Sequence, residues 1–170
     1  VIPTFNQTPR LLKAAVFSAL AQTVLAEVIV VDDGTTDYCI TDSQGCTLRL
    51  EAGKIETHES GAPKRFAGRL AQDDRPLVAL PEGVIVIRHE QNRGISAALN
   101  TGIAAMKTDL FCWLSSDDLF DPQKVELQAA AMDQAGSKCS FHGYLVLHSA
   151  DDRSLFAVLP EWRSLREQQE

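Results

Sequence analysis

Two acidic pairs stand out. Asp32-Asp33 directly follows the apolar run Val28-Ile29-Val30-Val31, and Asp117-Asp118 comes shortly after Leu110-Phe111-Cys112-Trp113-Leu114. A single aspartate after a strand is ordinarily a helix cap or turn residue. Two pairs in equivalent places raise a different chemistry: like charges gathered together repel, and a cation or a strong hydrogen-bond donor between them relieves the repulsion. Mg²⁺ or Mn²⁺ held by one or two carboxylates bridges to phosphate oxygens, leaving other carboxylates to accept from a base N–H or a sugar hydroxyl. Neither G-x-x-x-x-G-K-[ST] nor G-x-G-x-x-G occurs, which argues against P-loop kinases and nicotinamide dehydrogenases.

The elements that must position these carboxylates follow from apolar periodicity. Residues 1–5 read as a strand, then Thr8 as an N-cap and Pro9 as the first residue of a helix. Leu12, Val16 and Leu20, with Leu11, Ala15 and Ala19 beside them, give that helix one apolar face down to about Thr23. Residues 28–31 are β-branched and continuous, as expected of a strand covered on both faces of a parallel sheet. The same order returns later: a strand at 84–87, a helix from Ser96 to Met106, and a strand at 110–114 with Trp113 packed in the core. Two βαβ units predict an α/β fold with a mostly parallel, Rossmann-like sheet flanked by helices. Right-handed crossovers bring the C-terminal strand ends to one edge, where such sheets bind ligands.

A further helix is expected from an Asp121 N-cap and Pro122 to a stop at Gly136, then a hairpin pairing 144–148 with 155–159. Between the two units, 38–82 has no sustained period and reads as an excursion with structure of its own. It holds one hairpin, 47–50 against 55–57, turning near Gly53.

Composition bounds the rest. At 170 residues, 45% hydrophobic and 23% charged, the chain is expected to be a single domain spanning 1–170. A net charge of −7 and the lack of a basic stripe argue against a nucleic-acid partner. The longest apolar stretch, 14–31, is broken by Ser18, Gln22, Thr23 and Glu27, so no membrane span is expected, and no export signal is visible. The expected location is cytoplasmic, at most peripheral to a membrane. The chain opens at Val1 inside a strand and reads as a fragment. Cys39, Cys46, Cys112 and Cys139 lack paired zinc spacing, and Cys39, Cys46 and His58 are too irregularly placed for a metal site. His58, His89, His142 and His148 form no i, i+4 pair and read as solvent or turn residues.

Four stretches then carry a resemblance: Val1-Ile2-Pro3-Thr4-Phe5-Asn6, Val30-Val31-Asp32-Asp33-Gly34-Thr35-Thr36-Asp37, Asn92 through Gly102, and Trp113-Leu114-Ser115-Ser116-Asp117-Asp118. In composition and order they are similar to the successive blocks of family 2 nucleotide-sugar glycosyltransferases, over 1–135 apart from the excursion. The resemblance implies a GT-A fold and an inverting, metal-assisted transfer from a nucleotide-diphosphate sugar, UDP-linked, to an acceptor it does not specify. It implies that Pro3, Thr4, Asn6, Asp32 and Asp33 line the nucleoside pocket, with Asp33 accepting from the base. Asn92, Gly94 and Asn100 would close over nucleotide and sugar, and Arg93 would contact phosphate. Asp117 and Asp118 would hold Mn²⁺ or Mg²⁺, Asp117 also facing the donor.

The chain departs from the pattern twice. Ser115 stands where many members have Asp, and no residue up to Glu170 matches the later acidic block that supplies a general base; Glu161, beside Trp162, reads as a surface acid. These departures support an alternative, a domain that binds a nucleotide without transfer. A phosphatase of the D-x-D-G-T kind is disfavoured because Val31 occupies the nucleophile's place.

Overall fold

The structure, a computed structural model, describes residues 1–51, 54–55, 65–67 and 75–144. In chain order its elements are β1 (Ile2–Thr4), α1 (Pro9–Leu20), β2 (Val28–Asp32), β3 (Cys39–Thr41), β4 (Cys46–Glu51), β5 (Lys54–Ile55), β6 (Arg65–Ala67), β7 (Leu77–Ala79), β8 (Val84–Arg88), α2 (Ile95–Ala105) and α3 (Lys124–Ala135). The main sheet runs β1-β2-β8-β4-β5, with β6 also on β4. Its centre is parallel: Ile2 pairs with Val30, Val30 with Val86, and Leu48 with Ile87.

The unbroken apolar runs of β2 and β8 are explained by the two sides they face. Successive strand residues point to opposite faces. Val28, Val30, Val84 and Val86 pack with Leu12, Ala15, Val16 and Ala19 of α1. Ile29, Val31 and Ile87 pack on the other side with Ala98 of α2. A helix on each side leaves no polar face, so alternation disappears from the sequence. Fully burying one such side chain contributes about 1.5–3 kcal/mol, which makes these two strands the stable base of the edge they end on. Gly102 seats α2: a Cβ there would lie 2.3 Å from Val1 Cγ1, so the helix lies on the start of β1 only because that position has no side chain.

The excursion is tied into this body. Its hairpin forms as expected, Leu50 opposite Ile55, but β4 also joins the main sheet beside β8. A second, parallel pair, β3 with β7, brings together the two ends of the excursion. Ile40, Val78, Leu80 and Tyr38 from this region complete the core on the α1 side.

Three expectations need correction. Residues 110–114 form no strand element; their backbone bonds to Val1, the residue before β1, whose N donates to the Cys112 carbonyl (2.7 Å) and whose carbonyl accepts from Leu114 N (3.1 Å). This is parallel pairing one residue long, opposite Trp113. Leu114 turns into the core, so alternation sends Trp113 to the other side, where it is 49% exposed and not core. The last helix starts at Lys124 with Gln123 at its N-cap: Asp121 does not cap it, but closes the preceding turn by accepting from Gln123 N (2.9 Å). Gly136 ends that helix in the left-handed conformation as expected. Thr8 is the N-cap of α1 by position, yet its side chain makes no capping bond. The expected hairpin at 144–148 and 155–159, His58, His148 and Glu161 lie outside the described residues except for Tyr144.

Candidate functional site

Parallel register fixes what shares the C-terminal edge. Thr4 is opposite Asp32, and Asp32 is opposite Arg88. The ladder continues one step further, with Asp33 N donating to the Thr4 carbonyl (2.8 Å) and His89 N to the Asp32 carbonyl (2.9 Å). Residues 115–118 leave the other side of β1 in the same direction, and Asp118 N closes a turn on the Ser115 carbonyl (3.2 Å).

Asp32 is fully buried and its charge is answered locally. Oδ1 accepts from Thr35 N (2.8 Å), closing the turn, and Oδ2 pairs with the Arg88 guanidinium. Arg88 also donates to the Thr35 carbonyl (2.7 Å), as does Arg75 (2.7 Å), which reaches the Thr36 carbonyl as well (3.1 Å). A buried carboxylate stripped of such partners is costly, so Asp32 holds the turn.

Asp33 is also buried. Oδ1 lies 2.5 Å from His89 Nδ1 and accepts from Arg93 N (3.0 Å); Oδ2 accepts from Gly94 N (2.8 Å) and, more loosely, Arg93 N (3.1 Å). The carboxylate that the resemblance aims at a base also fastens the 93–94 loop, and His89, expected in solvent, is buried against it. The turn after Asp33 packs on the same loop: Gly34 has φ +83°, and a Cβ there would sit 2.7 Å from the Gln91 carbonyl carbon.

Asn6 stitches the first block to the second. Its N donates to Thr35 Oγ1 (3.1 Å), its Oδ1 accepts from Thr36 N (2.8 Å) and its Nδ2 donates to Thr36 Oγ1 (3.1 Å). Pro3 and Thr4 are buried in β1, and Thr4 Oγ1 has no hydrogen-bond partner among the described residues. Buried hydroxyls nearly always have one, so among the described residues this oxygen stands out at the strand end. Gly94 caps α2 with φ 88° and ψ 158°, a conformation essentially limited to glycine. Asn92, Arg93 and Asn100 are exposed; Asn92 Oδ1 accepts from Gly94 N (3.1 Å), and the Arg93 guanidinium makes no hydrogen bond among the described residues.

Asp117 and Asp118 are exposed on their turn, with Ser115 half-buried and Ser116 buried beside them. Among the described residues no cluster of three or more His, Cys, Asp or Glu could hold a metal. Two consecutive carboxylates are nevertheless the hard-oxygen set that Mg²⁺ takes from protein when phosphate oxygens and water complete its shell, so the residues fit a cation carried in with a diphosphate.

Arg75, Arg88, His89 and Thr35 were missed from sequence alone. A signal did exist: Arg88-His89 ends β8 as Asp32-Asp33 ends the neighbouring β2, nitrogen donors against carboxylates in the same register. Seeing it required knowing that those two strands are adjacent.

A parallel sheet layered between α1 and α2, with these loops gathered at the strand C-termini, defines a GT-A, Rossmann-like α/β domain. The family model for glycosyl transferase family 2 matches residues 67–149, and that match together with the relatives below supports membership of the family. It is 31% identical over 171 residues to an uncharacterized glycosyltransferase of Rickettsia typhi, covering 98% of this chain and 42% of the relative. Another from Rickettsia bellii is 31% identical over 163 residues, covering 95% of this chain and 19% of the relative. A succinoglycan biosynthesis protein, ExoU, of Rhizobium meliloti is 34% identical over 111 residues, covering 65% and 23%. The chain thus spans less than half the length of these relatives. No helix among the described residues is long and apolar enough to cross a membrane.

Proposed function

We propose that the chain is one donor-binding domain of a glycosyltransferase that takes a sugar from a UDP-linked donor to an acceptor, with inversion. One observation supports this reading above the others: the sequence blocks at Thr4–Asn6, Asp32–Thr36 and 92–94 are interlocked at one sheet edge, with 115–118 alongside. In this reading the nucleoside lies against the Thr4–Asn6 and Asp32–Thr36 segments, with Asn92, Gly94 and Asn100 closing over it. The exposed Arg93 guanidinium supplies a cation for phosphate. A divalent cation on Asp117 and Asp118 would neutralise charge on the departing diphosphate. In the transfer itself, the acceptor oxygen bonds to the anomeric carbon as the bond from that carbon to the diphosphate oxygen breaks. The acceptor's proton passes to a general base that the described residues do not identify.

The test is calorimetric titration of UDP, with and without Mn²⁺, into the wild type and Asp118→Ala. Binding that Mn²⁺ strengthens in the wild type alone is expected; equal, metal-independent affinity in both removes the proposed coordination. Ser115, in place of a third carboxylate, favours a second reading in which the domain binds the nucleotide without transfer. Release of UDP from UDP-sugars in the presence of acceptors separates the two.

A further inference from the structure

The contact between Asp33 and His89 continues into the helix that the loop precedes. His89 is 2% exposed; opposite its Asp33 contact, Nε2 lies 2.8 Å from Thr101 Oγ1. An ionised carboxylate only accepts, so the ring hydrogen toward Asp33 is on Nδ1, and Nε2 is left to the Thr101 hydroxyl. Thr101 neighbours Gly102, the residue that seats α2 on Val1, so this end of the chain of contacts is anchored in the body of the sheet. The other end is the Arg93-Gly94 peptide, held by Asp33. Its surroundings offer little else. Residues 90–96 are exposed, Asn92 adds a single bond to Gly94 N, and the Arg93 side chain makes no hydrogen bond among the described residues.

We propose that His89 is a positioning residue, and that Thr101, His89 and Asp33 form a relay setting the Arg93-Gly94 loop, and with it the Arg93 guanidinium, for a nucleoside diphosphate. This rests on the reading that the nucleotide occupies this edge. An apolar side chain in place of His89 takes one donor from a buried carboxylate whose remaining donors are the two loop amides. The loop is the part free to rearrange, because the other neighbours of Asp33 lie within parallel ladders.

The test compares the chain with its His89→Phe, His89→Asn and Thr101→Val variants by amide hydrogen exchange without ligand and by titration of UDP. In His89→Phe and Thr101→Val, exchange at Arg93 and Gly94 is expected to quicken about ten-fold while β2 and β8 keep their rates, and UDP affinity to fall about ten-fold. His89→Asn keeps a donor near the Nδ1 position and is expected to restore most of both. Unchanged exchange at Arg93 and Gly94 in folded variants overturns the relay, as does faster exchange with unchanged UDP affinity. If His89→Phe does not fold, the nearly isosteric Thr101→Val decides. If the wild type takes up no UDP, the nucleotide reading falls, and the exchange rates alone decide whether the relay holds the loop.

Discussion

Gly34 and Gln91 are in backbone contact across the edge of the sheet: a Cβ on Gly34 would lie 2.7 Å from the Gln91 carbonyl carbon and 2.9 Å from its Cα. The position is also at φ +83°, so a side chain meets both a steric and a conformational barrier. Gly34→Ala is expected to lower stability by about 2–4 kcal/mol in urea unfolding, combining backbone strain with overpacking. Gly94 has a similar φ but open space around it, so Gly94→Ala is expected to cost only the strain, about 1–3 kcal/mol. Equal losses at the two positions would mean that the 34 turn and the 91 segment do not touch.

What could be read in the sequence was whatever is local. The β-branched runs at 28–31 and 84–87, the Pro9 helix start, the Gly136 stop and the hairpin at β4 and β5 each follow from residues a few positions apart. The loss of strand at 110–114 was not legible, because pairing there depends on a partner 111 residues away and reaches only Val1. The roles of Asp32 and Asp33 were half legible. Their place at the edge followed from the strand before them, but what their oxygens accept depends on Arg88, His89, Arg93 and Gly94, brought in by the parallel pairing of β2 with β8.

The acidic turn makes a prediction about metal. Asp117 and Asp118 are exposed and Ser115 stands beside them, so the protein offers two carboxylates where a third can be built. Adding charge and an oxygen ligand tightens a divalent site. Ser115→Asp is therefore expected to strengthen Mn²⁺-assisted UDP binding about ten-fold without changing metal-free binding. A variant that binds UDP with Mn²⁺ no better than the wild type would place the cation elsewhere.

Arg93 makes a prediction about salt. Its guanidinium is exposed and without a protein partner among the described residues, so a phosphate contact through it would be electrostatic and screened. Arg93→Ala is expected to weaken UDP binding roughly ten-fold at low ionic strength, and by less as salt is added. Folding stability should stay within about 0.5 kcal/mol, since the loop is held by the Arg93 amide and not by its side chain. A salt-independent loss, or a comparable loss of stability, would mean that the side chain is structural.

Tyr38 links the excursion to the loop before α1 and gives the fold a sensitivity to alkali. Its ring is buried and its hydroxyl donates to the Gln7 carbonyl. Burial first, then the charges of Asp32 and Asp37, push its pKa up to about 12 from the usual 10.0. Between those values the folded chain keeps a proton that the unfolded chain has lost, so stability falls as pH rises. The contribution is complete below the unfolded pKa of about 10 and disappears as pH passes through about 12. Tyr38→Phe loses the hydrogen bond, about 0.5–1.5 kcal/mol near neutral pH, but also loses this slope. Urea midpoints measured from about pH 8 to about 11.5 should therefore converge for wild type and variant as alkalinity increases. Parallel curves would show that the Tyr38 hydroxyl ionises as readily in the folded chain as in the unfolded one.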